Sequence, residues 1–286
     1  MYSDPIISRP DPESPMRFLR FLAFFVPLFF AASPAFAQVD PQHRDWDVLL
    51  KKHVKVAPGG NASRVDYAGL AKDRAALKAV LAGYAKVTKA EFDAMKKPEQ
   101  QAFLINYYNA LTIEKVLTRY PDIKSIRDFG NVFGNPWKDK FFKLFGQDAT
   151  LDQIEHETLR VDGVYDDPRV HFAVVCASIG CPMLPPDAFT ADKLDAQLED
   201  GMKRFLSDRT RNRYSPQTGK LEISRIFDWY GKDFTKGHKG YTSVKQAMAK
   251  YADQLADKPE DRAAVREQKA EIAFLEYDWS LNDAGR

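Results

Sequence analysis

Glu99-Gln-Gln-Ala-Phe-Leu-Ile-Asn106-Tyr-Tyr-Asn109-Ala-Leu-Thr-Ile-Glu-Lys-Val-Leu-Thr-Arg119 decides the fold of this chain. Its apolar residues cover nearly every face of a helix (Phe103, Leu104, Ile105, Tyr107, Tyr108, Leu111, Ile113, Val116, Leu117), which predicts a central, buried helix over about 99–119. Tyr120-Pro121-Asp122 stops it. Asn106 and Asn109 lie about one turn apart on this otherwise apolar surface. Buried amides cost stability unless they are hydrogen-bonded, so both are expected to tie down a neighbouring loop or line a pocket.

Outward from this helix, Trp46, Leu49, Leu50 and Val54 predict a short helix that ends before the turn Pro58-Gly59-Gly60. Tyr67 to Tyr84 predicts a second amphipathic helix, entered through Asp66. Downstream, Lys140 to Leu144 and Ala149 to Leu151 form an expected hairpin around Gly146-Gln147-Asp148, and Asp152 is expected to cap a helix through Arg160. Val170 to Cys176, bounded by Asp166-Asp167-Pro168 and Gly180, has the composition of a buried strand. Thr190 to Leu206, Ile226 to Phe234 and Ser243 to Tyr251 look helical; Arg213 to Ser224 a hairpin; Ile272 to Tyr277 a last strand. Many helices with few short strands indicate an α+β fold, with a small, mostly antiparallel sheet packed on the buried helix.

At the N-terminus, Arg17 precedes an apolar stretch from residue 18 to 32, and Ser33-Pro34-Ala35-Phe36-Ala37 closes it with small residues at 35 and 37. This pattern predicts a secretory signal over residues 1–37, cleaved near Ala37–Gln38, and hence a periplasmic or secreted protein. The run from Phe21 to Ala32 is too short for the ~20 residues of a membrane span, and no second long apolar run follows. Residues 38–286, about 250 in number, read as one globular domain. A net charge of +2 with interleaved signs argues against nucleic acid and leaves a small molecule or peptide as the expected partner. No cofactor is expected.

Chemistry concentrates around the only cysteines, Cys176 and Cys181. A cysteine nucleophile needs its thiolate, which a nearby imidazole supplies. His171 opens the expected strand that Cys176 closes; five residues apart, the two would point to opposite faces of a regular strand. His156, from another element, is the preferred base, with His171 or Glu155 supporting. The third member of such a triad stays open among Asp152, Glu155, Asn106, Asn109 and Asp278. In an oxidising compartment the same cysteines have an alternative as a Cys176–Cys181 disulfide. A zinc site on His156, His171, Cys176 and Cys181 is a further alternative, although no C-x-x-C or H-x-x-x-H spacing supports it. His43, His53 and His238 stand in charged surroundings and are expected to be solvated; Trp137, Trp229 and Trp279 are expected in the core or as pocket walls.

Gln101-Ala-Phe-Leu-Ile-Asn106-Tyr-Tyr-Asn109-Ala-Leu-Thr resembles the signature of the family called domain of unknown function 547. Ser125-Ile-Arg-Asp, Pro136-Trp137-Lys138, Leu151-Asp-Gln-Ile-Glu-His156, Asp167 to Pro182, Ile226-Phe-Asp-Trp-Tyr and Tyr277-Asp-Trp-Ser-Leu-Asn282 extend the resemblance over roughly residues 45 to 283. Leu104 departs from it, where family members often carry Trp. The resemblance implies that the Glu-His, His and Cys-x-x-x-x-Cys-Pro elements and the two asparagines form a shared pattern; it implies no reaction. The leading expectation is an exported thiol-dependent hydrolase or acyltransferase acting on amide or thioester bonds, with Cys176 as nucleophile. The alternatives are a non-catalytic binding module with a Cys176–Cys181 disulfide, and a zinc protein.

Overall fold

The structure, a computed structural model, describes Met1 and residues 40–130 and 135–286. The expected signal segment and residues 131–134 of the loop before Trp137 lie outside the described residues. The described residues from Asp40 onward form one compact unit. Its helices are α1 (Arg44–His53), α2 (Tyr67–Lys72), α3 (Arg74–Ala85), α4 (Lys89–Ala94), α5 (Lys97–Leu117), α6 (Leu151–Ile154), α7 (Leu194–Ser207), α8 (Ile226–Trp229), α9 (Val244–Lys250), α10 (Ala252–Leu255) and α11 (Pro259–Arg266). Its strands are β1 (Val54–Val56), β2 (Ser63–Val65), β3 (Phe142–Leu144), β4 (Gln147–Ala149), β5 (Arg213–Ser215), β6 (Lys220–Ser224) and β7 (Glu271–Leu275). The fold is α+β. No helix among the described residues is long and apolar enough to cross a membrane.

The strands form three small sheets rather than one. β1–β2 and β3–β4 are antiparallel hairpins, and β5–β6–β7 is antiparallel at β5–β6 and parallel at β6–β7. The β3–β4 turn falls at Phe145 and Gly146, both with positive φ (52° and 80°), one residue earlier than composition suggested. Both central residues of such a two-residue turn need a left-handed backbone, which the glycine supplies at no steric cost.

α5 is buried on all sides, as its sequence requires; helices, loops and the two small hairpins surround it, and the three-stranded sheet does not. Phe103, Leu104, Tyr107, Tyr108 and Leu111 pack with residues of α3, α6 and α7. Ala110, Ile113, Val116 and Leu117 pack with α1, α2 and the cysteine segment. The three-stranded sheet serves a separate core, where Leu221 and Ile223 of β6 meet Phe172, Phe205, Phe227 and Phe234. At the start of α5 the Glu99 carboxyl accepts the Lys96 amide at 2.7 Å, and Pro98 occupies the first turn, where its missing N–H costs nothing.

Several boundaries differ from the sequence reading for local reasons. Asp66 does cap α2, accepting the Gly69 amide at 2.8 Å, but Asp73 separates α2 from α3. α6 is capped by Thr150, two residues before Asp152, in a reciprocal pair with Gln153 (3.0 and 3.1 Å). The expected strand Val170–Cys176 does not exist. Pro168–Phe172 is a 3-10 turn that Asp167 starts by accepting the Arg169 amide at 3.0 Å. A short, fully buried apolar run has no periodicity that separates strand from helix, whereas Asp-Pro is a helix start. His43 and His53 are buried, at 6 % and 3 % exposed, rather than solvated. His43 Nδ1 pairs with the Tyr84 hydroxyl at 3.0 Å and His53 Nε2 with Asp73 at 2.7 Å, so charged neighbours marked partners and not solvent.

Candidate functional site

Asp152, Glu155 and His156 stand at i, i+3 and i+4, and this spacing puts them on one helical face. α6 widens after Ile154 into a π-helical turn, Glu155–Leu159, a distortion that recurs at functional sites. All three side chains line a cavity of about 210 Å³, together with His171, Cys176 and Cys181. The structure therefore gathers all four expected catalytic residues in one place. His171 and Cys176 can both face the cavity because His171 sits in a 3-10 turn and no strand joins the two.

Glu155 is buried, and its Oε2 accepts the Tyr108 hydroxyl from α5 at 3.0 Å. Burial, and then the Glu155 charge, push the phenols of Tyr108 and Tyr230 up, so both stay protonated donors. Burial likewise raises Asp152. His156 Nδ1 accepts from Arg160 Nη1 at 2.6 Å, and its Nε2 lies 3.7 Å from Asp152.

His171 lies flat on the Tyr230 ring, centroids 4.0 Å apart, and its Nε2–H donates to Asp233 Oδ2 at 2.8 Å. The same carboxylate oxygen takes Arg160 Nε at 2.7 Å, and Lys236 stands 3.3 Å from its other oxygen. Burial alone would raise Asp233, but the His171 and Arg160 bonds hold it well below the usual carboxylate range. Burial lowers His171, despite the opposing pull of Asp233. Neither imidazole is hydrogen-bonded to a sulfur.

Cys176 and Cys181 are disulfide-bonded, with Cα atoms 6.3 Å apart, and no cysteine is free. Ser178 Oγ and the Tyr277 hydroxyl lie 2.9 and 3.2 Å from Cys176 Sγ. The Cys176 amide donates to Cys181 Sγ at 2.9 Å, and Tyr277 donates to the same atom at 3.3 Å. Burial pushes the Tyr277 phenol up to about 12, so it too remains a donor. Aromatic rings build the rest of the wall. Trp279 packs against Tyr277, Trp229 and Trp137 at centroid distances of 4.6, 5.6 and 6.1 Å.

The remaining expected residues support the site without lining it. Asn109 donates to the Ala173 carbonyl at 2.9 Å and accepts the Val175 amide at 3.0 Å, which fixes the chain just before Cys176. Asn106 holds Phe189 in the same way, at 2.7 and 3.0 Å. The Asp278 carbonyl accepts the Gly180 amide at 2.8 Å, tying the cysteine loop to the segment that carries Tyr277. Gly180 has no room for a side chain: a Cβ would stand 3.0 Å from the Tyr277 ring and from the Asp278 carbonyl. Gly180→Ala should therefore cost about 1–3 kcal/mol in a urea melt; an unchanged midpoint would mean the contact is slack.

Sequence reasoning missed Asp233, Arg160, Tyr108, Tyr230 and Tyr277. Tyr108, between the two asparagines on the buried helix, and Tyr230 and Tyr277, inside the motifs of the family resemblance, carried a signal; Asp233 and Arg160 carried none. Ligand atoms of Asp162, Asp166 and His238 gather within 4.8 Å of one another, away from this cavity, with Lys236 bridging to Asp162 at 2.6 Å. The sulfurs of the zinc set considered above are bonded to each other.

Residues 92–206 match the family described as protein of unknown function, DUF547. The match runs from α4 into α7 and covers less than half of the chain. No curated protein and no solved structure matches the chain. The DUF547 segment supplies Tyr108, Asp152, Glu155, His156, His171 and the disulfide; the chain beyond it supplies Trp229, Tyr230, Asp233, Tyr277 and Trp279. The cavity thus needs both.

Burial of neutral imidazoles has a consequence for acid stability. His43 is lowered to about 4 and His171 is also lowered, both chiefly by burial. The unfolded chain takes up these protons first, near pH 6.5, so stability is full above that pH and falls as pH drops through 6.5 toward the folded values. The His43 shift corresponds to a loss of up to about 3 kcal/mol between pH 7 and 4. His43→Gln should flatten this part of a urea-midpoint-against-pH curve; an unchanged slope would assign the loss elsewhere.

Proposed function

We propose that the chain is an exported binding module whose cavity, stapled by Cys176–Cys181, takes a small or peptide-like ligand presenting an ammonium group. The observation that carries this reading is the pairing of acidic side chains, Asp152 and Glu155, with a wall of aromatic rings from Tyr230, Tyr277, Trp229, Trp279 and Trp137. Ring faces attract cations and acidic groups pair with them, and the two together form the usual surroundings of a bound ammonium. Among the described residues no lysine or arginine lines the cavity, while Arg160 and Arg127 stand over the Tyr230 and Trp279 rings at 4.8 and 5.2 Å from their centroids. Export is supported by the signal pattern over residues 1–37 and by the disulfide, which persists in oxidising compartments.

The test uses the oxidised protein and the probe pair phenethylamine and N-acetylphenethylamine, which share the aromatic ring and linker while acetylation replaces the ammonium by a neutral amide. Quenching of tryptophan fluorescence should show the amine binding at least about tenfold more tightly, a difference of ~1.4 kcal/mol. Equal affinities, or no binding of either, would remove the reading.

A thiol-dependent hydrolase or acyltransferase is the second reading, and one observation favours it: Cys176, His156, His171 and Glu155 line the same cavity. It requires reduction of the disulfide first. Reduced protein should then turn over an acyl thioester and Cys176→Ala should not; no turnover after reduction would end it.

A further inference from the structure

The disulfide is not sealed in the core as a staple ordinarily is. Cys176 is half-buried and Cys181 is buried, and both border the cavity. An attacking thiolate in the cavity meets Cys176 Sγ as the more open sulfur, and negative charge then develops on Cys181 Sγ. One donor is aimed at that atom and not at its partner, the Cys176 amide at 2.9 Å. The Tyr277 and Ser178 hydroxyls stand between the two sulfurs, 3.3 and 3.6 Å from Cys181 Sγ and 3.2 and 2.9 Å from Cys176 Sγ, and can turn to whichever carries the charge. A neutral disulfide sulfur is a weak acceptor and gains little from them, whereas a thiolate gains much. This is the arrangement that stabilises a leaving thiolate, and a lower leaving-group pKa speeds exchange.

We propose that Cys176–Cys181 is a thiol–disulfide exchange site, attacked at Cys176 with Cys181 as leaving group, and that its substrate is a thiol bearing an ammonium group. The substrate class rests on the ammonium-binding reading of the same cavity. In the first step the thiolate RS⁻ bonds to Cys176 Sγ, the Cys176–Cys181 bond breaks, and its electron pair leaves on Cys181 Sγ. A second RS⁻ attacks the mixed disulfide and releases RSSR and the Cys176 thiolate. Two thiols are oxidised to one disulfide, and the protein disulfide is reduced to two thiols. The Tyr277 ring is held beside the sulfurs by Gly180 and the Asp278 carbonyl, so its hydroxyl is positioned before any substrate arrives.

The test follows reduction of the folded protein by cysteamine and by mercaptoethanol, using acid quench and intact mass. Each rate is divided by the same thiol's rate on the denatured protein, which removes its intrinsic reactivity. The normalised cysteamine rate should exceed the mercaptoethanol rate at least about tenfold, saturating phenethylamine should slow it, and Tyr277→Phe should slow both thiols about tenfold. In the reverse direction, Cys181→Ser exposed to cystamine should take one adduct at Cys176, and Cys176→Ser should take none at Cys181. A folded disulfide that stays intact while the denatured one is fully exchanged overturns the proposal, as does an adduct on Cys181. Equal normalised rates overturn the ammonium preference. Phenethylamine binding is read separately by fluorescence, so failure of exchange with binding intact is distinguishable from failure of the cavity reading.

Discussion

Replacing Asn109 by alanine is expected to cost roughly 2–5 kcal/mol of folding stability, one of the largest effects of any single change away from the apolar core. The amide satisfies two buried backbone groups at once, the Ala173 carbonyl and the Val175 amide, and alanine leaves both without a partner. An unmet buried donor or acceptor costs about 1–3 kcal/mol, which is more than the bond itself contributes when made. The loss should be visible as a lower urea midpoint with an unchanged slope. Because the clamp ends one residue before Cys176, the variant should also open the cysteine loop. A midpoint shift below about 1 kcal/mol would show that the loop is held by its other bonds, at Ile179 and Gly180, and that the asparagine is incidental.

Glu155→Gln is expected to separate binding from folding. Glutamine keeps the shape and an oxygen that accepts the Tyr108 hydroxyl, so thermal stability should move little. It removes the charge, and an ammonium facing a neutral amide loses a charge-assisted bond. Phenethylamine affinity should fall by about tenfold or more, ~1.4 kcal/mol, with N-acetylphenethylamine unaffected. An amine affinity that survives the substitution would place the cation on the aromatic wall alone, or against Asp152.

The buried helix was legible because its composition leaves no polar face, and a helix apolar all round has to be enclosed. Asp66, the hairpin at Arg213–Ser224 and the proximity of the two cysteines were equally local, written in a few adjacent residues. Where the reading failed, the deciding interaction lay far along the chain. Val170 to Cys176 is enriched in strand-forming residues, yet the Asn109 amide takes the backbone groups that a strand partner would have taken. His43 and His53 looked exposed because acidic neighbours usually signal solvent; here Tyr84 and Asp73 pair with them inside the protein. Asp233 is 62 residues from His171, and Tyr277 is 101 from Cys176, with no motif linking either pair. The family resemblance named Glu155, His156, His171 and the two cysteines, which border one cavity. It also ran through Trp229, Tyr230, Tyr277 and Trp279 of the aromatic wall, but it did not reach Asp233, the carboxylate that orients His171.

The choice between a stapled binding cavity and a free catalytic thiol turns on the state of two sulfur atoms. Intact-mass measurement of the purified protein after exposure to iodoacetamide, with and without prior reduction, reads that state directly. The account predicts no alkylation without reduction and two carbamidomethyl groups after it. Two alkylated cysteines in the unreduced protein would contradict the disulfide, the binding module built on it and the exchange site together, and would leave Cys176 as a nucleophile in waiting.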